Sequence, residues 1–446
     1  MNTKVVAILA VLVVVGAGVG IAVMTSAPQE KVKKSTNLEG RLMIYGNANG
    51  DDYLDKDDLT KINEIIADIK ADKPWDAKAF PFADANCDGV IDENDVQMIK
   101  DLIDRKPMVV NFADATGTKS INYPIKHVGI ISTPLLDPMI ILGVQEKVIG
   151  RHNSPQTPLD PIKHQYYIKN VPAISKNAAS VERDLVSKES QKYEGGMNAI
   201  LTRVGFLMKE QKALESDGIK ILRMGFESEK RSLPAYLTLG YLMEAEKRSH
   251  EVVEFIDGVN EKIVSVVSKK TDAERPVLVT VSGHKTDAIS GNTDENSLTG
   301  IRAGGINRIV VSDSGSGMGG TTKSIKENDT WQLGSEYECK YLINNPTALN
   351  YESTKDSAIK SFNEAKVFFN KHETFPKGFV VVSTCMPPCI SAAYLSQFFF
   401  PEDYEKDFAD KIHQDFVDKF LGIKYDVKNG TFLITYDDVK DKLASA

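Results

Sequence analysis

Two twelve-residue stretches, "NANGDDYLDKDD" at 47–58 and "DANCDGVIDEND" at 84–95, place oxygen-bearing side chains at the same alternating positions, the second starting 37 residues after the first. A hard divalent cation such as calcium takes six to eight oxygen ligands, and a loop of this length supplies them from positions 1, 3, 5, 7, 9 and 12. In the first stretch those positions are Asn47, Asn49, Asp51, the Tyr53 carbonyl, Asp55 and Asp58. In the second they are Asp84, Asn86, Asp88, the Val90 carbonyl, Asp92 and Asp95, which predicts two bound calcium ions in all. A sharp turn at position 6 favours glycine. The second stretch has Gly89 there, and the first has Asp52, which predicts a left-handed aspartate.

Each stretch is followed by an apolar stripe at helical spacing, Leu59, Ile62, Ile65, Ile66 and Ile69 after the first and Val96, Ile99, Leu102 and Ile103 after the second. Neither is preceded by a matching amphipathic helix. A duplicated loop-then-helix unit of this length resembles a type I dockerin module. The resemblance implies a small all-α domain that folds on calcium and binds a cohesin-like partner through loop positions 10 and 11, here Lys56, Asp57, Glu93 and Asn94. Residues 47–106 carry sixteen acidic and eight basic side chains, so this one module holds the whole formal net charge of -8. A chain without a basic face has little to displace counterions with, which argues against nucleic-acid binding.

Ahead of the module, Val5–Val23 is a run of 19 uncharged residues. About 20 apolar residues cross a bilayer as a helix, so residues 1–36 read as a membrane anchor and linker, a removed signal peptide being the other reading. No Cys directly follows the run, which excludes a lipoprotein anchor. Lys4 on one side and Lys31, Lys33 and Lys34 on the other leave the orientation open on charge alone. Four cysteines do not make a disulfide scaffold. Cys385 and Cys389 are close enough in sequence to pair in an oxidising compartment.

From Met108 onward, short apolar runs alternate with helical stretches, the pattern of α/β domains. "HVGIIS" (127–132), "EKVIG" (146–150), "RPVLVTVSG" (275–283) and "KGFVVVST" (377–384) read as buried strands, and "PLLDPMIILG" as a helix between the first two. Between the halves, Leu239, Leu242, Met243, Val252, Val253, Ile256, Val259, Ile263, Val266 and Val267 keep helical spacing with no proline from Ala235 to Arg275. That spacing predicts one helix over 235–272, about 57 Å long.

The segments "INYPIKHVGIIS", "LDPMIILGVQEKVIG", "ERPVLVT", "LTGIRAGGIN" and "AAYLSQFFFPEDYEKDFADKIHQDFVDKFLGIKYDVKNGTFLI" are similar, in that order, to the helical-backbone class of ABC-transporter substrate-binding proteins, the receptors for ferric siderophores, haem and cobalamin. The resemblance implies an α/β fold of two α/β lobes bridged by a single long helix: lobe 1 at 108–234, the bridge at 235–272 and lobe 2 at 273–446, behind a dockerin-like module at 37–107 and an N-terminal transmembrane helix. It implies a body outside the cytoplasmic membrane that holds its ligand between the lobes, flexes little and delivers to a permease and ATPase complex. The family's acidic docking elements are matched by Glu182 in "SVERDLVSKES" and by Glu336 or Glu338 in "SEYECKYLINNPTAL". The permease-docking pair is taken as Glu182 and Glu338.

In open α/β sheets, ligands lie beyond the carboxyl ends of the strands. Those positions are Ser132, Thr133, Arg151 and His152 in the first lobe, and His284, Asn292, Thr293, Thr384, Met386 and Cys389 in the second. Arg151 is the favoured contact, since a guanidinium suits the oxygens of an anionic iron chelate. "DSGSGMGGTTKS" is no phosphate loop, because Thr321 and Thr322 separate Gly320 from Lys323. The seven His residues form no paired-ligand motif, and no catalytic constellation is legible. The expected function is therefore an anchored solute receptor, most directly for a ferric siderophore, with haem or cobalamin as other cargoes. The other class considered is a cell-surface scaffold or adhesion protein, in which the dockerin-like module makes the attachment and the body no longer transports.

Overall fold

The computed structural model describes residues 41–155, 158–177, 180–226, 231–282, 288–292, 295–308, 322–324, 339–343, 349–357, 380–435 and 437–438. The apolar run at 5–23, His284, Thr293, Glu336 and Glu338 lie outside the described residues. Among the described residues no helix is long and apolar enough to cross a membrane.

Helix α1 (Lys56–Lys70) and helix α2 (Glu93–Ile103) each start inside the acidic stretch that precedes them, three residues before the apolar stripe. The cause is a capping box: Asp55 accepts the Asp57 amide while Asp58 returns to the Asp55 amide, and Asp92, Asn94 and Asp95 repeat the arrangement. Ile62, Ile65, Ile66, Val96 and Ile99 close over Ala48, Ala83, Ala85 and Ile91 to form a small core. The expected left-handed residue at position 6 of the first loop is displaced. Gly50 at position 4 takes φ +71°, and Asp52 instead pairs with Arg41 at 3.0 Å.

This unit lies directly on the body. A hairpin of β1 (Met108–Asp114) and β2 (Gly117–Tyr123) joins them, and Ile44 bridges to Phe112 at its edge. Beyond the hairpin, β3 (Val128–Ile130), α3 (Leu136–Ile141), β4 (Val148–His152), α4 (Gln165–Asn170), β5 (Ala173–Ser175), α5 (Arg183–Ser190), β6 (Ala199–Thr202), α6 (Gln211–Ser216) and β7 (Lys220–Arg223) alternate. The strands form a wholly parallel sheet in the order β5-β4-β3-β6-β7. Every residue of β3 and β6 is buried, as a sheet covered on both faces requires.

The connection to the second half is two helices, not one. Helix α7 (Ser232–Leu242) ends where Glu244 turns left-handed at φ +58° and the Ala245 amide returns to the Gly240 carbonyl at 2.7 Å; α8 (Glu246–Val267) then begins. The break lets α7 fold back on α8. A side chain on Gly240 would come within 2.4 Å of Ser249, so the crossing depends on that glycine. Helix α8, with 22 residues, is about 33 Å long and is the element that joins the halves.

The second half contains β8 (Leu278–Ser282), β9 (Ala288–Ser290), α9 (Glu295–Arg302), β10 (Thr322–Ser324), β11 (Cys339–Ile343), β12 (Val380–Val382), α10 (Pro388–Phe399), α11 (Phe408–Phe416) and β13 (Leu433–Thr435). Its sheet order is β10-β9-β8-β11-β12-β13, with a parallel centre of β8, β11 and β12 and antiparallel pairing at both flanks.

Candidate functional site

The loops that follow the parallel strands bring the two halves together. From lobe 1 come Asp137 on α3 and the turn holding Asp160, Lys163 and His164. From lobe 2 come Tyr351 and the segment after β12, Ser383 to Pro387. The Lys163 ammonium donates to Asp137 Oδ2 at 2.7 Å and, across the lobes, to the Cys385 carbonyl at 2.7 Å. A second crossing bond runs from the Tyr351 amide to Asp160 Oδ2 at 3.1 Å, while Asp160 Oδ1 accepts the Ile162 and Lys163 amides. His164 Nδ1 accepts the Asp160 amide at 3.0 Å, which leaves its proton on Nε2, 2.7 Å from Asp137 Oδ1. Burial pushes the Asp137 carboxyl upward, but Lys163 and His164 outweigh it and hold it below the usual carboxylate range. Burial works equally against the Lys163 charge, and Asp137 outweighs that too, so the ammonium is held above its ordinary value.

Behind this seam, His413 on α11 sits between two phenols. Tyr394 donates to Asp410 at 2.8 Å and so receives the His413 Nδ1 proton at 3.2 Å, leaving Nε2 to accept from Tyr351 at 2.9 Å. Burial, helped by Lys163, pushes the imidazole down to about 3. The unfolded chain takes up this proton below about pH 6.5 and the folded chain does not, so the contribution is intact above that pH and is lost as pH falls toward 3. At pH 4.5 the loss is about 2–3 kcal/mol. Urea unfolding at pH 7.5 and 4.5 should show His413→Gln losing less stability on acidification than the parent chain by about that amount; parallel losses would refute the assignment.

The strand-end residues expected to meet ligand have mixed placements. Ser132 and Thr133 are buried at the end of β3. Arg151 directs Nε to the Tyr167 and Val171 carbonyls, at 3.1 and 2.9 Å, and Nη1 to the His152 carbonyl, so it clasps β4 to the end of α4. His152 is buried within β4, and Asn292 is half-buried beyond β9. Thr384 is exposed and Met386 buried, and both line an inter-lobe crevice of about 50 Å³ with Pro134, Asp137 and Lys163. Cys389 lines a neighbouring crevice of about 30 Å³ with Phe226 and Tyr236. Ligand pockets for organic molecules usually run from ~300 Å³ upward, so these crevices are the floor of a cleft and not a seat for a chelate. Cys385 and Cys389 are buried and not joined by a disulfide, and burial pushes the Cys385 thiol up to about 11. Glu182 stands at the start of α5, half exposed, 3.4 Å from the Lys176 ammonium. A groove of about 1050 Å³ lies elsewhere, at the amino ends of β6 and β7 beside Arg183, Asn198 and Lys220.

In the acidic loops, Asp58 and Asp95 are fully buried. Asp58 accepts the Asn49 and Asp55 amides, and Asp95 accepts those of Ala85, Asn86 and Asp92. Burial lifts both carboxyls, Asp58 to about 7. Asp51 and Asp88 turn to the amides of Tyr53 and Val90, Asp84 to that of Gly89, Asn49 and Asn86 to those two residues on, and Asp55 and Asp92 cap the helices. Among the described residues no three His, Cys, Asp or Glu side chains are gathered as a metal-holding group, because the loop carboxylates face their own backbone. One acceptor is left unsatisfied by the chain itself. Asn47 is 1% exposed; its amide nitrogen donates to the Leu42 and Asp51 carbonyls, while its Oδ1 is buried without a hydrogen-bond partner. A buried acceptor left unpaired costs about 1–3 kcal/mol. The donor set of hard oxygens, with this orphan at position 1, fits calcium.

No protein-family model matches the chain, and no curated protein matches its sequence. Among solved structures it is similar to a TroA-like periplasmic binding protein, FepB, from Veillonella parvula, with a TM-score of 0.51 and 16% identity, covering 73% of this chain and 99% of that one. An ABC transporter solute binding protein from Sulfurospirillum deleyianum scores 0.49 at 16% identity, covering 74% of this chain and 98% of that one. The fold is shared with that Veillonella parvula protein over nearly its whole length.

Proposed function

We propose that the chain is the extracytoplasmic receptor of an ABC importer, tethered to the cytoplasmic membrane by its N-terminal segment and delivering a solute to a permease and ATPase complex. The supporting observation is the architecture: two sheets joined by α8, with strand-end loops of both meeting at Lys163 and Cys385, in a fold shared over 99% of a periplasmic binding protein. The cargo class that best suits the family resemblance is an iron chelate, a siderophore before haem or cobalamin, seated above the Lys163 floor. Glu182 and Glu338 are the proposed contacts to the permease. The reading is of a binder, not an enzyme.

The two loops are proposed to hold one calcium ion each, through Asn47, Asn49, Asp51, Tyr53, Asp55 and Asp58 and through Asp84, Asn86, Asp88, Val90, Asp92 and Asp95. When bound, calcium would supply charge compensation to these oxygens. Lys56, Asp57, Glu93 and Asn94 are exposed at the helix starts, where a cohesin-like partner would meet the dockerin-like module. One observation favours the scaffold reading instead: the described cleft floor is closed by hydrogen bonds across the lobes.

Thermal unfolding of residues 41–446 with ferric hydroxamates, ferric catecholates, haem and cobalamins separates the readings. A ligand held only by the folded chain adds about 2.7 kcal/mol at a hundredfold excess over Kd. The receptor reading expects a raised midpoint with one class. A cooperatively folded sample that ignores all four would leave the scaffold reading.

A further inference from the structure

The two acidic loops are not equivalent in the fold. In the second, Val90 at position 7 is 57% exposed. In the first, the corresponding stretch is pressed against the body. The ring of Tyr53 stacks on His250 of α8, with centroids 4.2 Å apart and planes 8° from parallel. Asp52 shares Arg41 with Asp257 of α8, at 3.0 and 2.9 Å. Leu54 is buried in the apolar cluster that also holds Val252, Val253 and Ile256 of α8. Tyr53 therefore meets the helix that joins the lobes directly, and Asp52 reaches it through Arg41.

We infer that calcium occupancy of the 47–58 loop is coupled to the stability of α8, so that the cation acts as an effector of the two-lobed body from outside its cleft. The inference rests on the calcium reading of the loops and is independent of which solute the cleft takes. Tyr53 is the link: its carbonyl is the position-7 ligand and its ring is the contact to His250. Ordering the loop around a cation fixes the Tyr53 backbone, and so its ring, Asp52 and Leu54, against α8. By linkage, whatever stabilises α8 in its docked geometry also tightens the loop for calcium. The second loop makes no such contact through Val90, and its helix reaches α8 beyond its far end, at the Arg105–Glu246 pair, so its occupancy should affect α8 less.

The test is hydrogen–deuterium exchange over residues 246–267 in the full chain, with calcium chloride or with chelator, beside calorimetric titration of calcium. Calcium should slow exchange across α8 at least about tenfold in the parent chain. In Asp84→Ala, which removes a ligand of the second loop only, the slowing should persist with one ion bound fewer. In a His250→Ala, Arg41→Ala double variant, calcium should still bind in the parent stoichiometry, while the slowing falls to within about twofold. Calcium binding without any change in α8 exchange would overturn the coupling and leave the calcium reading standing. An undiminished effect in the double variant would overturn the route through Tyr53 and Asp52. Absence of calcium binding would overturn the coupling and the calcium reading together.

Discussion

Lys163→Met should cost the folded chain about 3–5 kcal/mol, the usual penalty for removing one partner of a buried ion pair. The Lys163 side chain is 3% exposed and compensates Asp137, whose other close partner is the His164 Nε2–H. With Lys163 removed, the carboxylate stays buried with its charge largely uncompensated, and the Cys385 carbonyl loses the donor that ties lobe 2 to lobe 1. A melting midpoint lower by about 4–6 °C is expected for a body of this size. Adding Asp137→Leu should recover much of the loss, because a buried apolar pair replaces a buried ion pair at little cost. Denaturant unfolding of parent, single and double variants decides it. A single-variant loss below about 1 kcal/mol would mean that water reaches the pair and that the seam does not hold the lobes.

How far such a site is legible in sequence is shown by the tetrapeptide Pro-Ile-Lys-His, which occurs twice. At 124–127 it leads into β3 with Lys126 exposed and His127 half-buried; at 161–164 it places Lys163 and His164 in the buried seam. Nothing local separates the two, because the seam is made by Cys385 and Tyr351, 222 and 191 residues from their lobe 1 partners. Where a signal is local, the reading is close to the structure. The apolar runs at 127–132, 275–283 and 377–384 contain β3, β8 and β12, the run at 146–150 overlaps β4, which continues to His152, and the paired loops precede α1 and α2. The helix starts were readable too, since Asp at both ends of a four-residue span is a capping-box pattern. The break between α7 and α8 was not. Met243, Glu244 and Ala245 are ordinary helix residues, and what stops the helix is the close seat that Gly240 gives to Ser249. Arg151 illustrates the converse: its position at a strand end is right for a cleft, yet its guanidinium closes backbone carbonyls of its own lobe.

A chain that begins at residue 108 should fail to fold as a stable monomer, although the domain pattern in the sequence places a boundary there. Leu42, Ile44, Leu54 and Leu102 belong to the same apolar cluster as Val110, Phe112 and Tyr241. Each such side chain contributes about 1.5–3 kcal/mol on burial, and four together are comparable with the 5–15 kcal/mol that holds a typical domain folded. The polar contacts go with them: the Met43 amide to Thr238, the Ala113 amide to the Met43 carbonyl, Tyr241 to the Leu102 carbonyl at 2.9 Å, and Arg105 to Glu246 at 2.7 Å. Arg105 also covers the Tyr241 ring at 4.2 Å, so its loss uncovers an aromatic face beside the start of α8. The expected result is aggregation, or a melting midpoint more than 10 °C below that of residues 41–446, measured by light scattering and circular dichroism. Equal midpoints for the two chains would show that the module is a detachable spacer. The contacts argue that it is a structural cover of the α7–α8 pair, which leaves its exposed helix starts as the face open to a partner.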